Sequence, residues 1–235
     1  MVDDHVLEPP PPDITDLTPA PPALAATRDC LHLLAENALS PVQAAVNGDI
    51  HFRWTPGGFG TPRFGEDRQL RVEGAQLVAV AGGESKTQPI TSLRGASEFV
   101  GGDAAGRSDA PLEVDDAASR WLGDFFGFAF ALLEQIAGEG ENPAPVRLWP
   151  EHFDMANEMG SEARGSRATY GASPGDANHA EPYLYVAPWR SPEAGELWNA
   201  TGFVGAELTI SDLLAAGDQR AAALDFFRQR MEALG

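Results

Sequence analysis

Apolar side chains recur at helical spacing along much of the chain. The first such stretch begins near Ala23, with intervals of seven, three and four residues between Leu24, Leu31, Leu34 and Ala38. These positions mark one face of a helix. The pair Ser40–Pro41 then has the pattern of a helix cap followed by proline at the first helical position, so a short second helix is expected over 41–46.

The longest helical pattern covers residues 116–137 and is apolar on nearly every side. Asp115 or Asp116 can cap its start, and Gly138 can end it. A helix of this kind is usually buried in the centre of a domain. An amphipathic pattern at 218–234 predicts a C-terminal helix. Shorter helices are expected over 91–100 and 211–216.

Alternation of apolar and polar residues predicts antiparallel strands. Gly74 lies between two alternating runs, 69–73 and 77–80, which is the pattern of a hairpin. Further strands are expected around Phe52 and at 146–149, 182–189 and 203–210. The strands come in neighbouring groups and do not alternate with helices. This order predicts an α+β fold, in which a mainly antiparallel sheet packs against a long central apolar helix and N- and C-terminal helices.

The first 22 residues differ from the rest, because they contain seven prolines, five acids and no Lys or Arg. Proline fixes φ and removes a hydrogen-bond donor, so residues 1–22 are predicted to be a disordered, acidic, proline-rich tail. A proline-rich segment can also recruit a partner domain, although no basic residue accompanies these prolines. Residues 23–235 are predicted to form a single α+β domain.

Charge and composition limit the classes of function. The chain has 35 acidic and 16 basic residues, a net charge of −19, which repels nucleic-acid phosphates and anionic lipid surfaces. The sequence therefore predicts no nucleic-acid and no membrane partner. Its longest apolar run, Phe125–Leu133, is far shorter than the roughly 20 residues that a bilayer requires. The acidic N-terminus lacks a secretion signal, and Cys30 is the sole cysteine, so a cytoplasmic location is expected.

Candidate chemistry concentrates between Arg147 and Trp189. This segment holds all three tyrosines, two of the five histidines and two of the five tryptophans. Polar and aromatic side chains on loops of a rigid scaffold are typical of binding sites. The ligand-binding candidates are Trp149, Arg167, Tyr170, Tyr183 and Tyr185.

Two short arrays within this segment supply candidate metal ligands. His152 and Asp154 lie two residues apart, so in an extended chain they project from the same face. A turn can bring Asp176, His179 and Glu181 together. Two histidines with carboxylates suit Zn, Fe or Mn, although neither array matches a defined metal motif.

The same residues also have an ordinary structural interpretation. Asp176 follows Pro174–Gly175 and can simply shape a turn. His152 can be a hydrogen-bonded histidine beneath a loop, and Asp154 can pair with Arg164 or Arg167. Both interpretations stay open on the sequence alone.

Three motifs in this region resemble a known group of sequences. They are LWPEHFD at 148–154, SPGD at 173–176 and EPYLYV at 181–186. Together they resemble uncharacterised bacterial proteins and are similar, more distantly, to the domain-of-unknown-function 5996 family. Members of that family pair a Trp…Phe-Asp segment with a Pro-Gly-Asp segment and a strand that contains tyrosine. The resemblance extends over most of 27–230 and implies no particular activity.

Two functional hypotheses follow from the sequence. The first is a pocket for a small molecule or a metal, formed by residues 149–189, in which enzymatic chemistry is an open question. The second is a non-catalytic interaction module, in which the proline-rich tail recruits a partner and the histidines are structural. The oligomeric state and the substrate class are not specified by the sequence.

Overall fold

The computed structural model describes residues 14–177 and 179–235 of the chain. The strands occur in two successive groups along these residues, with helices before, between and after them. The helices are α1 Leu24–Leu34, α2 Ser40–Asn47, α3 Leu93–Phe99, α4 Asp116–Ala137, α5 Ile210–Ala215 and α6 Gln219–Leu234. The first group of strands is β1 Arg53–Thr55, β2 Gly58–Gly60, β3 Gln69–Glu73, β4 Gln76–Ala81 and β5 Glu84–Pro89. The second group is β6 Arg147–Trp149, β7 Asp154–Met159, β8 Ala168–Ser173, β9 Tyr183–Pro188 and β10 Ala206–Thr209.

Each group of strands forms a five-stranded antiparallel meander, in which neighbours in the chain are neighbours in the sheet. A single antiparallel bridge between Phe52 and Leu148 joins the two sheets edge to edge. Strand order therefore runs outward from this bridge in both directions, with β1 and β6 at the centre. The predicted α+β class is confirmed, but the antiparallel sheet is divided into two meanders.

Helix α4 lies across both sheets and forms the centre of the core. It packs against β1, β2 and β3 of the first sheet, against β7 and β8 of the second, and against α1 and α6. Its apolar side chains are buried on nearly all sides, as the sequence predicts. Gly123 allows the closest approach, since a Cβ built there would lie 2.7 Å from the Gly58 nitrogen. Only the α4 side of each sheet is covered in this way, which leaves an outer face.

The starts of two predicted helices are confirmed by their caps. Ser92 Oγ accepts a hydrogen bond from the Gly95 N–H at the start of α3, and Asp115 accepts one from the Ala118 N–H at the start of α4. These side chains satisfy backbone donors that the first turn leaves unpaired. None of the helices within 14–177 and 179–235 combines the length and apolar character needed to cross a bilayer.

The N-terminal helical region departs from the predicted break at Ser40. The chain continues from α1 through a π-helical turn, Ala35–Leu39, directly into α2. Pro41 lies inside this continuous helix, not at a fresh start. Proline lacks the N–H of a regular helix and its ring crowds the carbonyl of the preceding turn. A widened π turn accommodates both effects without ending the helix.

The predicted tail boundary at residue 22 is wrong for the part that the structure describes. Leu17 is buried, and its N–H and C=O hydrogen-bond to the Gln219 side chain at 2.9 and 3.0 Å. The Thr18 carbonyl accepts a hydrogen bond from the Trp121 indole at 2.8 Å. Residues 14–22 are thus held against the domain, because they satisfy buried polar groups of α4 and α6. The rest of the predicted tail, 1–13, lies outside the described residues.

Candidate functional site

A cleft of about 1080 Å³ opens on the outer face of the second sheet. All of its lining residues lie between Ala144 and Phe203, so the segment predicted to carry chemistry supplies most of its wall. Side chains alternate across a strand, and one set therefore faces α4 while the other faces the cleft. On β9, Leu184 and Val186 are fully buried in the core, whereas Tyr183 and Tyr185 line the cleft.

Small residues form the floor of this cleft. Ala156 on β7 pairs in register with Gly171 on β8, and Gly171 pairs with Tyr185 on β9. A Cβ at Gly171 would clash with the Tyr185 ring. Glycine at this position therefore lets the tyrosine lie flat across β8 and reach the strand beyond it.

Tyr185 uses this space to donate a short hydrogen bond from its hydroxyl to Asp154 Oδ2. The other carboxylate oxygen, Asp154 Oδ1, is buried and has no hydrogen-bond partner among the described residues. Burial raises the pKa of Asp154, and the hydrogen bond from Tyr185 opposes that rise in part. Burial, together with the adjacent Asp154 carboxylate, also raises the pKa of Tyr185 well above its ordinary value.

Aromatic rings form one wall of the cleft. Tyr183 lies 6.1 Å from Tyr185 and 6.5 Å from Phe203, measured between ring centroids. Phe203 also approaches Tyr185 edge-on at 6.1 Å. The pKa of Tyr183 is raised, mainly by burial, although a hydrogen bond with Ser173 works against the rise. This wall therefore presents π surfaces and neutral phenols to a ligand.

Trp149 and Arg147 on β6 form the opposite wall. The Arg147 guanidinium lies over the Trp149 ring, with its central carbon 5.7 Å from the ring centroid. Its Nε is buried and lacks a hydrogen-bond partner among residues 14–177 and 179–235. Two residues that line the same cleft thus each contain a buried polar atom without a partner, which is unusual in a folded protein.

A tight turn between β6 and β7 sets the position of Asp154. Phe153 has a φ of 52°, a left-handed conformation that is strained for a bulky side chain. Its ring is buried among the rings of His32, Phe59 and Phe126, and its N–H donates to the Trp149 carbonyl at 2.7 Å. Core packing at Phe153 therefore holds the strained turn and aims the next residue into the cleft.

A second turn, at the end of β8, brings Ser173 and Asp176 to the rim. Gly175 there has a φ of 84°, and Arg28 of α1 lies beneath it. The buried Arg28 guanidinium donates to the Pro174 carbonyl at 3.4 Å. The N-terminal helix thus supports the SPGD motif from below, which explains why an arginine is buried at this point.

The predicted metal set does not assemble. His152, Asp154 and Asp176 line the cleft, but His179 and Glu181 do not. The His179 ring lies at a tilt against Tyr183, with centroids 4.1 Å apart, and its Nε2 lies 3.3 Å from a Glu207 oxygen. Glu181 accepts a hydrogen bond from the Ser211 N–H at the start of α5. Within the described ranges, no group of three His, Cys, Asp or Glu residues is placed to hold a metal ion. The structure therefore does not bring these five residues, predicted as ligands of Zn, Fe or Mn, together into one cluster.

Two of the predicted ligand-binding residues also lie elsewhere. Tyr170 is 1% exposed and packs against Phe227 of α6, because it occupies a core-facing position of β8. Arg167 pairs with Glu158 at 2.9 Å and lies over the Trp189 ring, outside the lining of the cleft. Arg164 pairs with Glu141, so neither arginine is the partner of Asp154 that the structural interpretation suggested.

Several lining residues were not singled out from the sequence. Ser173 belongs to the SPGD motif but had no role of its own, Phe203 lies in a segment without a chemical motif, and Arg147 was noted only as the start of a segment. Ala156 on the floor and Gly171 beneath the Tyr185 ring give no signal until the strand register is known. Comparison with protein-family models, with curated proteins and with solved structures found no match. Evidence for a function therefore comes from the geometry of the cleft.

The buried Asp154 carboxyl predicts a specific pH dependence of stability. Its pKa is raised above 3.8 by burial, so the folded protein holds this proton more tightly than the unfolded chain does. The free energy of unfolding should therefore receive a contribution that falls as pH rises from about 3.8 through the raised pKa. In Asp154→Asn this contribution disappears, and the variant should be more stable than the wild type at pH 7.

Urea unfolding at a series of pH values measures this contribution as the difference between the two proteins. Glu84→Gln, which neutralises an exposed carboxylate on β5, is the control for the change in net charge. Parallel pH profiles for the wild type and Asp154→Asn would contradict the expectation.

Proposed function

We propose that this protein binds a small polar molecule in the cleft on the outer face of the second sheet, with Asp154 as the anchoring group. The observation that carries the proposal is the buried carboxyl of Asp154 in the lining of the cleft, whose Oδ1 has no hydrogen-bond partner among the described residues while Tyr185 holds Oδ2. A buried polar atom without a partner costs free energy that a ligand recovers by pairing with it.

The size and lining of the cleft support a small-molecule ligand. Its volume of about 1080 Å³ is near the upper end of the range of ligand pockets. Aromatic walls with a few polar groups between them are typical of such sites, since the rings supply contact area and the polar groups fix orientation. Arg147 Nε is a second unpartnered group, and it suits an acceptor on the ligand.

Composition supports the remaining parts of the proposal. The net charge of −19 favours a role that does not involve nucleic acid. The single cysteine is in keeping with a cytoplasmic location. We retain the resemblance to the domain-of-unknown-function 5996 family as part of the proposal, on the three motifs. All three contribute to this cleft: LWPEHFD places Trp149 and Asp154, SPGD places the rim, and EPYLYV places the two tyrosines.

A variant with a blocked cleft tests whether the cleft binds a ligand. In Ala156→Phe, a ring should rise from the floor and fill the space, while Ala81→Phe adds the same ring at an exposed position of β4 as the control. Thermal shift is measured with cationic, neutral and anionic compounds of low molecular mass. A compound present at about 100 times its Kd stabilises the folded state by about 2.7 kcal/mol.

For a chain of this length, that stabilisation raises Tm by about 5–10 °C. We expect at least one class of compound to stabilise the wild type and Ala81→Phe but not Ala156→Phe. The proposal fails if no class separates the blocked variant from the other two proteins.

A further inference from the structure

Acidic groups outnumber basic groups around the cleft. Glu151, Asp154, Glu158 and Asp176 line it, against one arginine, Arg147, and the imidazole of His152. Glu158 is compensated by Arg167 from outside the cleft. The remaining acids surround the Asp154 end, where His152 is the positive group that acts on the Asp154 carboxyl and Glu151 acts against it.

This arrangement leaves the Asp154 carboxylate without a full counter-charge. Within the described ranges, no Lys or Arg forms an ion pair with it: Arg147 lies over Trp149, and Arg167 is paired with Glu158. A buried carboxylate is stable when it is paired with a cation, and hydrogen bonds to neutral groups compensate it less well. A positively charged ligand would therefore supply the counter-charge that the Asp154 carboxylate lacks.

The aromatic rings around the cleft favour the same kind of ligand. Tyr183, Tyr185 and Phe203 form one wall and Trp149 the other. The face of an aromatic ring carries a partial negative charge and attracts an organic cation. A ring cluster next to an unpaired carboxylate is thus suited to a protonated amine with an apolar body.

Resting on the proposed function, we infer that the ligand of this cleft is a small organic amine in its protonated form. Its ammonium group donates to Asp154 Oδ1, and its carbon body packs against Tyr183 and Phe203. The net charge of −19 attracts such a cation from a distance and repels anionic competitors. Tyr185 keeps the carboxylate oriented by holding Oδ2.

Three probes with the same phenylethyl body separate the charge of the ligand from the contribution of its apolar part. They are 2-phenylethylamine, the neutral 2-phenylethanol and the anionic 3-phenylpropionate, each titrated at pH 7 by isothermal calorimetry. We expect the amine to bind at least about tenfold more tightly than the alcohol, since a charged hydrogen bond to a carboxylate exceeds a neutral one. The anion should not bind.

Variants then test whether the preference for the amine depends on Asp154. Asp154→Asn keeps the shape of the side chain and an oxygen for Tyr185, and it should weaken amine binding by about 30-fold or more, as loss of one partner of a buried charge pair does. Glu84→Gln, the exposed control, should leave the affinity unchanged. Far-UV circular dichroism and Tm of Asp154→Asn confirm that it is folded.

The outcomes separate this inference from the proposed function. If the alcohol or the anion binds as tightly as the amine or more tightly, and Ala156→Phe abolishes that binding, the inference of an amine ligand is overturned while the cleft remains a binding site. Failure of the amine to bind at about 10 mM would also overturn it. If, in addition, no compound class distinguishes Ala156→Phe from wild type, the proposed function falls as well.

Discussion

Replacement of Phe153 by alanine should lower the free energy of unfolding by about 3–5 kcal/mol, the range for a buried phenylalanine. The ring is 1% exposed and lies 5.3 Å from His32, 5.2 Å from Phe59 and 5.6 Å from Phe126, measured between centroids. Alanine would leave a cavity where four rings meet, and the backbone strain at φ 52° would remain. The loss of stability therefore has two causes: the packing of the ring is lost, and the strained turn is no longer stabilised by the core.

Urea unfolding measures this effect as a shift of the midpoint at constant slope. Leu33→Ala is the control, because Leu33 is 46% exposed and its removal should cost far less. Loss of the anchor should also displace Asp154, which follows directly in the chain, so any ligand of the cleft should bind more weakly. A cost below about 1 kcal/mol would show that Phe153 does not hold the turn.

Replacement of Gly123 by valine should be nearly as damaging, at about 3 kcal/mol. A Cβ at this position of α4 would lie 2.7 Å from the Gly58 nitrogen and 2.8 Å from the Gly58 Cα. Both neighbours are backbone atoms of β2, so neither can rotate away as a side chain would. The helix and the strand must separate, and the core residues between them lose contact.

Thermal unfolding should show a Tm lower by about 6–12 °C, given the size of the chain. Gly138→Ala is the matched control, since Gly138 caps the same helix with a right-handed conformation that alanine adopts readily. That change should be neutral or slightly stabilising. If Gly123→Val and Gly138→Ala have equal Tm values, α4 does not depend on close approach to β2.

The elements that the sequence predicted best are those with a strong and regular apolar pattern and a clear start or end signal. Helix α4 has apolar residues on nearly all sides together with a capping Asp115, and no other secondary structure fits that pattern. The β3–β4 hairpin combines regular alternation with Gly74, whose φ is 56°. In both cases the local pattern and the tertiary packing favour the same structure, so the local pattern is enough to predict the element.

The strands that were missed have patterns in which burial and polarity disagree. Strand β7 carries the buried Asn157 on its core side and Ala156 on its cleft side, so polarity does not alternate as expected. Strand β8 contains Gly171, which the sequence marks as a strand breaker. Strand β5 is polar throughout and mostly exposed. Small residues at Ala156 and Gly171, and solvent exposure along β5, therefore replace the usual alternation.

The cleft lies in the segment that the sequence singled out, but not all of its lining residues were identified. Trp149, Asp154, Tyr183 and Tyr185 line the cleft together, as their strand positions allow. Tyr170 faces the core instead, because a one-residue difference in strand position reverses the direction of a side chain. Nothing in the sequence of β8 reveals that register, so the error could not be detected without the pairing partners.

The cleft belongs entirely to one half of the molecule, since its lining lies between Ala144 and Phe203. The two sheets meet through the Phe52–Leu148 bridge, on the far side of β6 from Asp154 and the tyrosines. Ladder hydrogen bonds across β7, β8 and β9 fix the spacing of the tyrosines, and Phe153 ties the β6–β7 turn to Phe59 of the first sheet. A rearrangement at that bridge would therefore be transmitted to Asp154 through one buried ring, while the two tyrosines of β9 would keep their mutual spacing.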